Sequence, residues 1–305
     1  MAVATATLRL GTRGSRLALA QAQLASDALS RHSPNCIVEI VQVRTAGDAI
    51  SERTPSGHWT ASDGQFTSEL ERALVEGRID AALHSLKDLP TELHPGLAVA
   101  AVLERGDPHD CLISAHPGGL ANLPFGARIG TSSVRRAAQL AVARPDLVAR
   151  PIRGNVDTRL GRLRAGEYDA LLVAAVALDR LGLKVSRQAR LPYWLMLPAP
   201  GQAALALQVR ARDGQVANLV AELDHRPTRI AVEAERALLR SIGGGCLSAL
   251  GTLATIRGGS LRLRAAYEGR EGMARVEMAG PVGSVDDIVA EAAARILRVG
   301  GGVLA

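Results

Sequence analysis

Residues 128–143, RIGTSSVRRAAQLAVA, read as a strand (128–130), a turn of small hydroxyl residues (131–133) and a helix (134–143) in immediate succession. The same grammar continues downstream with a strand at 147–152, a turn at Gly154, a helix at 156–165 and a strand at 169–175. Upstream, LGTRGSR (10–16) resembles IGTSSVRR (129–136), since each leaves a strand, passes small hydroxyl residues and meets arginine at a helix start. There the pattern predicts a strand at 7–11 and a helix at 16–31 with Ser15 as its N-cap and Leu17, Leu24 and Ala28 along one side. Strands are predicted at 37–43, 80–84 and 97–103, and a helix at 66–76 with Phe66, Leu70 and Leu74 at four-residue spacing. Strand and helix alternate, so the class is α/β, and the internal resemblance predicts two similar lobes.

A proline-rich break at 197–201 precedes a strand at 204–209 that is expected to return to the first lobe. Helices follow at 215–223 and 228–242, then strands at 250–256, 261–267 and 274–278 and a helix at 285–298 with Ser284 as its cap. The expected domains are residues 1–103 with 204–222, residues 104–203, and a small α+β domain of residues 223–305.

Of the 305 residues 47% are hydrophobic, enough for real cores, and 36 basic side chains face 30 acidic ones for a net charge of +6. Lys87 and Lys184 are the only lysines, so the positive charge is almost wholly arginine, whose planar fork suits carboxylates and phosphates. Two Trp, three Tyr and two Phe give base stacking little to work with, which argues against nucleic acid. Cys36, Cys111 and Cys246 are too few and too widely spaced for a disulfide framework or a four-ligand zinc site, and the histidines show no metal spacing. A reducing cytoplasm is the expected compartment. Arg9, Arg13 and Arg16 interrupt the first apolar stretch before it reaches signal-peptide length. The longest uncharged run, 191–209, is cut by Pro192, Pro198 and Pro200, so no membrane helix is expected.

The two turns place Thr12, Arg13 and Ser15, and then Thr131, Ser132, Ser133, Arg135 and Arg136, at helix N-termini. Free backbone N–H groups and the helix dipole bind anions there, and arginine adds bidentate recognition. Simple capping with solvated arginines accounts for either turn alone; two such turns at strand ends are expected to face one crevice. IRGNVDTRLGRLR (152–164) adds Arg153 at a strand end and Arg159 on the following helix, with Arg162 and Arg164 on a solvated face. HSLKDLP (84–90) sets Lys87 beside Asp88 before a turn fixed by Pro90, with His84 read as structural. Such a carboxylate can exchange a proton or stabilise a cation, though a surface ion pair is the plainer alternative. GGGC (243–246) puts the Cys246 thiol on a loop free of side chains, open to bulky groups.

TRGS, HSLKDLP, GTSSVRR, IRGN followed by TRL, GEYDALL, LDRLGL, LPAPGQ and GGGC stand in the order and approximate spacing of the porphobilinogen deaminase (hydroxymethylbilane synthase) family, which this sequence resembles from residue 7 to about 251. The resemblance implies two doubly wound lobes like those of periplasmic binding proteins and a small α+β C-terminal domain. It implies a dipyrromethane cofactor held covalently through Cys246, to which four porphobilinogen units are added head to tail with loss of ammonia before hydroxymethylbilane is released by hydrolysis. Asp88 matches the catalytic carboxylate; Lys87, Ser133, Arg135 and Arg136 match cofactor-binding positions; Arg13, Ser15, Arg153, Arg159 and Arg180 match substrate-binding positions. No metal, nucleic acid or membrane is implied, and the expected state is a cytoplasmic monomer. The residue-level reading agrees, since each pyrrole carries an acetate and a propionate and a chain of them calls for many arginine forks. The sequence departs from the family pattern at 57–66, which lacks a lysine, and at Asp157, Val176, Ala177, Ala203, Gln208 and Ala249. Residues 50–65, with Trp59 and Asp63, read as a mobile loop, which the resemblance implies is an active-site lid. The rival reading is a diverged, non-catalytic anion-binding protein with the same two lobes.

Overall fold

The computed structural model describes residues 6–44, 67–186, 188–244 and 248–299. It divides into two compact units, Met1–Gly106 with Ala203–Arg229, and Asp107–Gln202 with Ile230–Ala305.

In the first unit, β1 (Ala6–Arg13) lies parallel to β2 (Cys36–Val43) and β3 (Ala81–Ser85), and β10 (Leu205–Arg210) runs antiparallel between β3 and β4 (Leu97–Val102), giving the order β2-β1-β3-β10-β4. The strand expected to return to the first lobe therefore does so as an inserted central strand. Helix α1 (Arg16–His32) and the helix Gly214–Ala221 cover one face, where Ala22, Ala25 and Leu29 pack with Leu8, Leu10, Leu207 and Val220. The helix Ser68–Val75 covers the other through Leu70, Ala73 and Leu74. One expectation is corrected here. Leu24 is 48% exposed, and the buried stripe of α1 runs one residue further on, through Ala25 and Leu29. Small Ala22 and Ala25 let the helix sit close on the sheet, which outweighs the larger apolar area of Leu24.

The second unit repeats this plan. Parallel β7 (Val148–Arg150), β6 (Arg128–Gly130) and β8 (Ala170–Ala174) are followed by antiparallel β5 (Asp110–Ser114) and then β9 (Gln188–Arg190), in the order β7-β6-β8-β5-β9. Position for position it is the first sheet, with β6 in the place of β1 and β5 in the place of β10. The central strands are buried on both faces: Leu112 and Leu172 meet Leu140 of the helix Val134–Ala143, whereas Ile113 and Val173 meet Leu160 and Leu163 of the helix Val156–Arg164. Glycine is required at the equivalent points of the repeated motif. A Cβ on Gly11 would lie 2.3 Å from Ile79 Cδ1, and one on Gly130 2.6 Å from Leu171 Cδ2. The same unit contains an antiparallel meander, β11 (Leu250–Arg257), β12 (Ser260–Gly269) and β13 (Gly272–Pro281), whose core is closed by the helices Arg226–Ser241 and Val285–Val299. Ser284 closes a 3-10 turn, Val282–Ser284, that leads into the last helix.

Strands β5 and β9 and the short helix Ala175–Arg180 were not expected from the sequence. Ala203 sits where the chain re-enters the first unit, with φ of +72°, the one non-glycine residue with positive φ among those described. A left-handed alanine costs roughly 1–2 kcal/mol, part of which glycine returns through its freer unfolded chain. Ala203→Gly is therefore expected to stabilise the protein by about 0.5 kcal/mol, read as a higher urea midpoint at unchanged m-value.

Candidate active site

In the first unit the polar residues gather at the carboxyl ends of two adjacent parallel strands. After β1, Ser15 caps α1 by accepting from the Ala18 N–H at 3.2 Å, and the buried Thr12 hydroxyl donates to the Ala18 carbonyl at 3.2 Å, so that half-buried Arg13 lies on a fixed turn. After β3, Lys87 and Asp88 occupy a 3-10 turn, Leu86–Asp88, and both are half-buried. That turn is anchored on each side: the Leu86 N–H donates to the Ala204 carbonyl, just before β10, at 3.0 Å, and Leu86 and Leu89 are buried. Beneath it His84 is fully buried, its Nε2 3.0 Å from Gln208 Oε1, and Gln208 Nε2 donates to Glu71 at 2.9 Å. Burial drives the His84 pKa down to about 4, with the Gln208 contact opposing only in part. An imidazole that is neutral there leaves Lys87 and Asp88 as the charged pair of the segment.

In the second unit the corresponding residues follow the carboxyl ends of three adjacent parallel strands, β7, β6 and β8. Ser133 caps its helix through the Arg136 N–H at 3.4 Å. Ser132 exchanges hydrogen bonds with the backbone of Ile152, donating at 2.7 Å and accepting at 3.0 Å, which ties the turn after β6 to the segment after β7. That segment carries half-buried Arg153, turns at Gly154 with φ of +96°, and starts the next helix at Asn155, which accepts from the Thr158 N–H at 2.9 Å. Arg159 reaches back to donate Nε to the Gly154 carbonyl at 2.9 Å. Arg180 ends the short helix that follows β8.

Arg135 and Arg136 are both buried, and the acid they meet is Asp110, the fully buried first residue of β5. Arg135 Nη1 donates to Oδ2 at 2.6 Å; Arg136 Nε and Nη2 donate to Oδ1 at 3.1 and 2.7 Å. Burial works against the Asp110 charge, but the two guanidinium groups outweigh it and hold the carboxyl well below the usual carboxylate range. One carboxylate cannot neutralise two arginines. Arg135 Nε is buried without a hydrogen-bond partner. Half-buried Arg159, whose Nε donates to a carbonyl, is pushed down to about 10 by burial and then by Arg136; burial likewise pushes Arg180 to about 10. Asp110 supplies one negative charge to the two guanidinium groups, and the buried Arg135 Nε retains capacity for a further acceptor.

Asp110 was missed in the sequence because its strand was missed; the signal was a lone acid opening the apolar run DCLIS. Cys246 and the loop of residues 50–65 lie outside the described residues. Cys36 and Cys111 are buried, and burial pushes the Cys111 thiol up to about 11, which makes it unreactive at neutral pH. Among the described residues no helix is long and apolar enough to cross a membrane.

Comparison with known proteins bears on these two sets of residues. The family model described as porphobilinogen deaminase, dipyromethane cofactor binding domain, matches residues 8–218, and that for the porphobilinogen deaminase C-terminal domain matches residues 229–298. The porphobilinogen deaminase of Roseiflexus sp. (strain RS-1) is 46% identical over 283 residues, covering 91% of this chain and 92% of that protein. The one from Acidothermus cellulolyticus is 44% identical over 305 residues, covering 98% and 91%. Among solved structures, the periplasmic VFT2 domain of BvgS from Bordetella pertussis is 14% identical with a TM-score of 0.42, covering 71% of this chain and 86% of that one.

The His84 environment has a measurable consequence. An imidazole with a folded pKa of about 4 against 6.5 when unfolded leaves the unfolded chain holding more protons between those values, so stability falls as pH drops through that window. Between pH 7 and pH 5 the loss is on the order of 2 kcal/mol. Urea unfolding at both pH values is expected to show this drop in the parent and a smaller one in His84→Gln.

Proposed function

The chain belongs to the porphobilinogen deaminase family, and from that premise we propose the part each described residue takes in the reaction. The enzyme is a transferase that joins four porphobilinogen units head to tail with release of ammonia, giving the linear tetrapyrrole hydroxymethylbilane on a dipyrromethane primer. The observation that supports the assignment is the buried Arg135 Nε without a hydrogen-bond partner, in a cluster where Arg136 and half-buried Arg159 add further positive charge; pyrroles bearing acetate and propionate arms supply matching carboxylates.

The residues present fit the primer. Lys87, Ser133, Arg135 and Arg136 would hold it, with Cys246 as the covalent attachment point on the C-terminal domain, residues 223–305. When bound, the dipyrromethane would supply the electron-rich pyrrole carbon to which the first unit is joined. Arg13, Ser15, Arg153, Arg159 and Arg180 bind the carboxylates of incoming porphobilinogen and of the growing chain. As ammonia leaves the substrate, its ring carries positive charge, and the Asp88 carboxylate stabilises that charge from a turn that cannot shift. The proton released when the new carbon–carbon bond forms has Asp88 as its nearest proposed acceptor. We propose that the enzyme works as a cytoplasmic monomer without nucleic acid or membrane partners.

Intact mass spectrometry of the purified protein is expected to show a dipyrromethane adduct that disappears in Cys246→Ser and persists in Cys36→Ser and Cys111→Ser, since a serine hydroxyl is a far poorer nucleophile. An adduct on Cys36 or Cys111 would overturn the attachment.

Asp88→Asn is nearly isosteric and is expected to keep fold and adduct while losing nearly all turnover; substantial porphobilinogen consumption would remove Asp88 from its role.

The arginines are expected to divide by stage. Arg135→Leu and Arg136→Leu should hinder loading, whereas Arg153→Leu and Arg180→Leu should load and then stall in elongation. Each loss of a desolvated bidentate contact costs on the order of 2–5 kcal/mol. Equal loading and elongation by all four variants would show the division to be wrong.

A further inference from the structure

Arg135 and Arg136 stand in the wrong place for cations. They occupy the first turn of a helix, where the dipole repels positive charge; they are adjacent and buried, and burial pushes Arg135 below its ordinary value. Consecutive residues on a helix point about 100° apart, yet these two side chains converge on one carboxylate. That carboxylate is itself held. Gln202 Nε2 donates to Asp110 Oδ1 at 2.9 Å and to the Pro108 carbonyl at 2.8 Å, and Gln202 is fully buried. Arg135 Nη1 also donates to the Leu197 carbonyl at 2.5 Å and Arg136 Nη1 to the Leu172 carbonyl at 3.0 Å, so Arg136 is held through all three nitrogens and Arg135 through Nη1.

We propose that Asp110 is a positioning residue for primer loading: locked by Gln202, it draws Arg135 and Arg136 inward from a helix end that would expel them and aims their unspent N–H groups at an incoming carboxylate. It touches neither substrate nor primer. Its single charge leaves the cluster of Arg135, Arg136 and Arg159 positive, so the site is ordered before its ligand arrives and still attracts it. Neutralising Asp110 leaves the two arginines repelling each other, and the pair swings away from the loading geometry. The inference rests on the reading that Arg135 and Arg136 hold the primer.

The test uses the full-length protein, incubated with porphobilinogen and followed by intact mass for the loaded fraction, with circular dichroism and thermal unfolding alongside. Asp110→Asn is expected to stay folded below its lowered melting temperature and to load at least tenfold more slowly. In Asp110→Ala, 50–100 mM formate, on the order of a weak small-anion Kd, is expected to restore loading where chloride at equal ionic strength does not, because formate puts a carboxylate back between the arginines. Loading of Asp110→Asn at the parental rate while Arg136→Leu fails to load would overturn this role and leave the primer reading intact. Parental loading by Arg135→Leu and Arg136→Leu as well would instead sink the primer reading. Failure of formate to restore a folded Asp110→Ala protein would reduce Asp110 to packing. Should neither Asp110 variant fold, Gln202→Met decides, since it keeps both ion pairs and frees the carboxylate to rotate: loading several-fold slower is expected, and parental loading would overturn the proposal.

Discussion

A parallel sheet covered by helices on both faces leaves polar groups only one place to go, the strand ends. β8 shows the constraint at its strictest, since Ala170, Leu171, Leu172 and Val173 are all buried, the even positions against one helix layer and the odd positions against the other. Nothing charged can be carried along such a strand. Chemistry is therefore displaced to the turns that leave the carboxyl ends, where helix N-termini offer unpaired N–H groups and the short turns fix side chains within a few residues of a rigid scaffold. Both units obey this rule independently, which is why Arg13 with Asp88 in one, and Arg136 with Arg153 and Arg180 in the other, occur at equivalent levels of two separate sheets.

Asp110 is an exception, a charged residue fully buried within the second unit. A buried carboxylate is costly unless its lone pairs are filled, and here the donors from Arg135, Arg136 and Gln202 fill them. The arrangement differs from an ordinary buried ion pair in having one cation too many. Two arginines share one acid here, unlike the salt bridge of Arg144 with Asp146, where one arginine meets one acid.

Much of this was legible in the sequence because it is local. The caps at Ser15 and Ser133, the turn at Gly154 and the paired motifs LGTRGSR and IGTSSVRR depend on residues within four positions of one another, and the helix 134–143 and strand 128–130 match the observed bounds. The return of the strand near residue 205 was legible from its apolar run and the break before it. What escaped was long-range or short. β5 is only five residues long and opens on a charged residue, and β9 has three residues. The partner of His84 lies 124 positions away and the partners of Asp110 lie 25, 26 and 92 positions away, distances over which no spacing rule operates. The face of α1 was misjudged because side-chain size was weighed above closeness of approach. The arginines at strand ends and helix starts were thus readable as a set, whereas the acid that two of them meet was not.

The insertion of β10 between β3 and β4 also dictates an order of assembly. All five strands of the second unit's doubly wound sheet lie between Asp110 and Arg190, so that sheet is complete as soon as its own segment has been made. The first sheet is not. β4 ends at Val102 and β10 begins at Leu205, and without β10 there is no hydrogen-bonded connection between β3 and β4. At roughly 5–20 residues per second the N-terminal lobe waits several seconds on the ribosome with an open edge on β3. An unpaired edge of that kind is a template for pairing with other chains. The sheet that carries Asp88, although begun first, therefore closes after the second unit's doubly wound sheet, and during that interval its open edge calls for a chaperone.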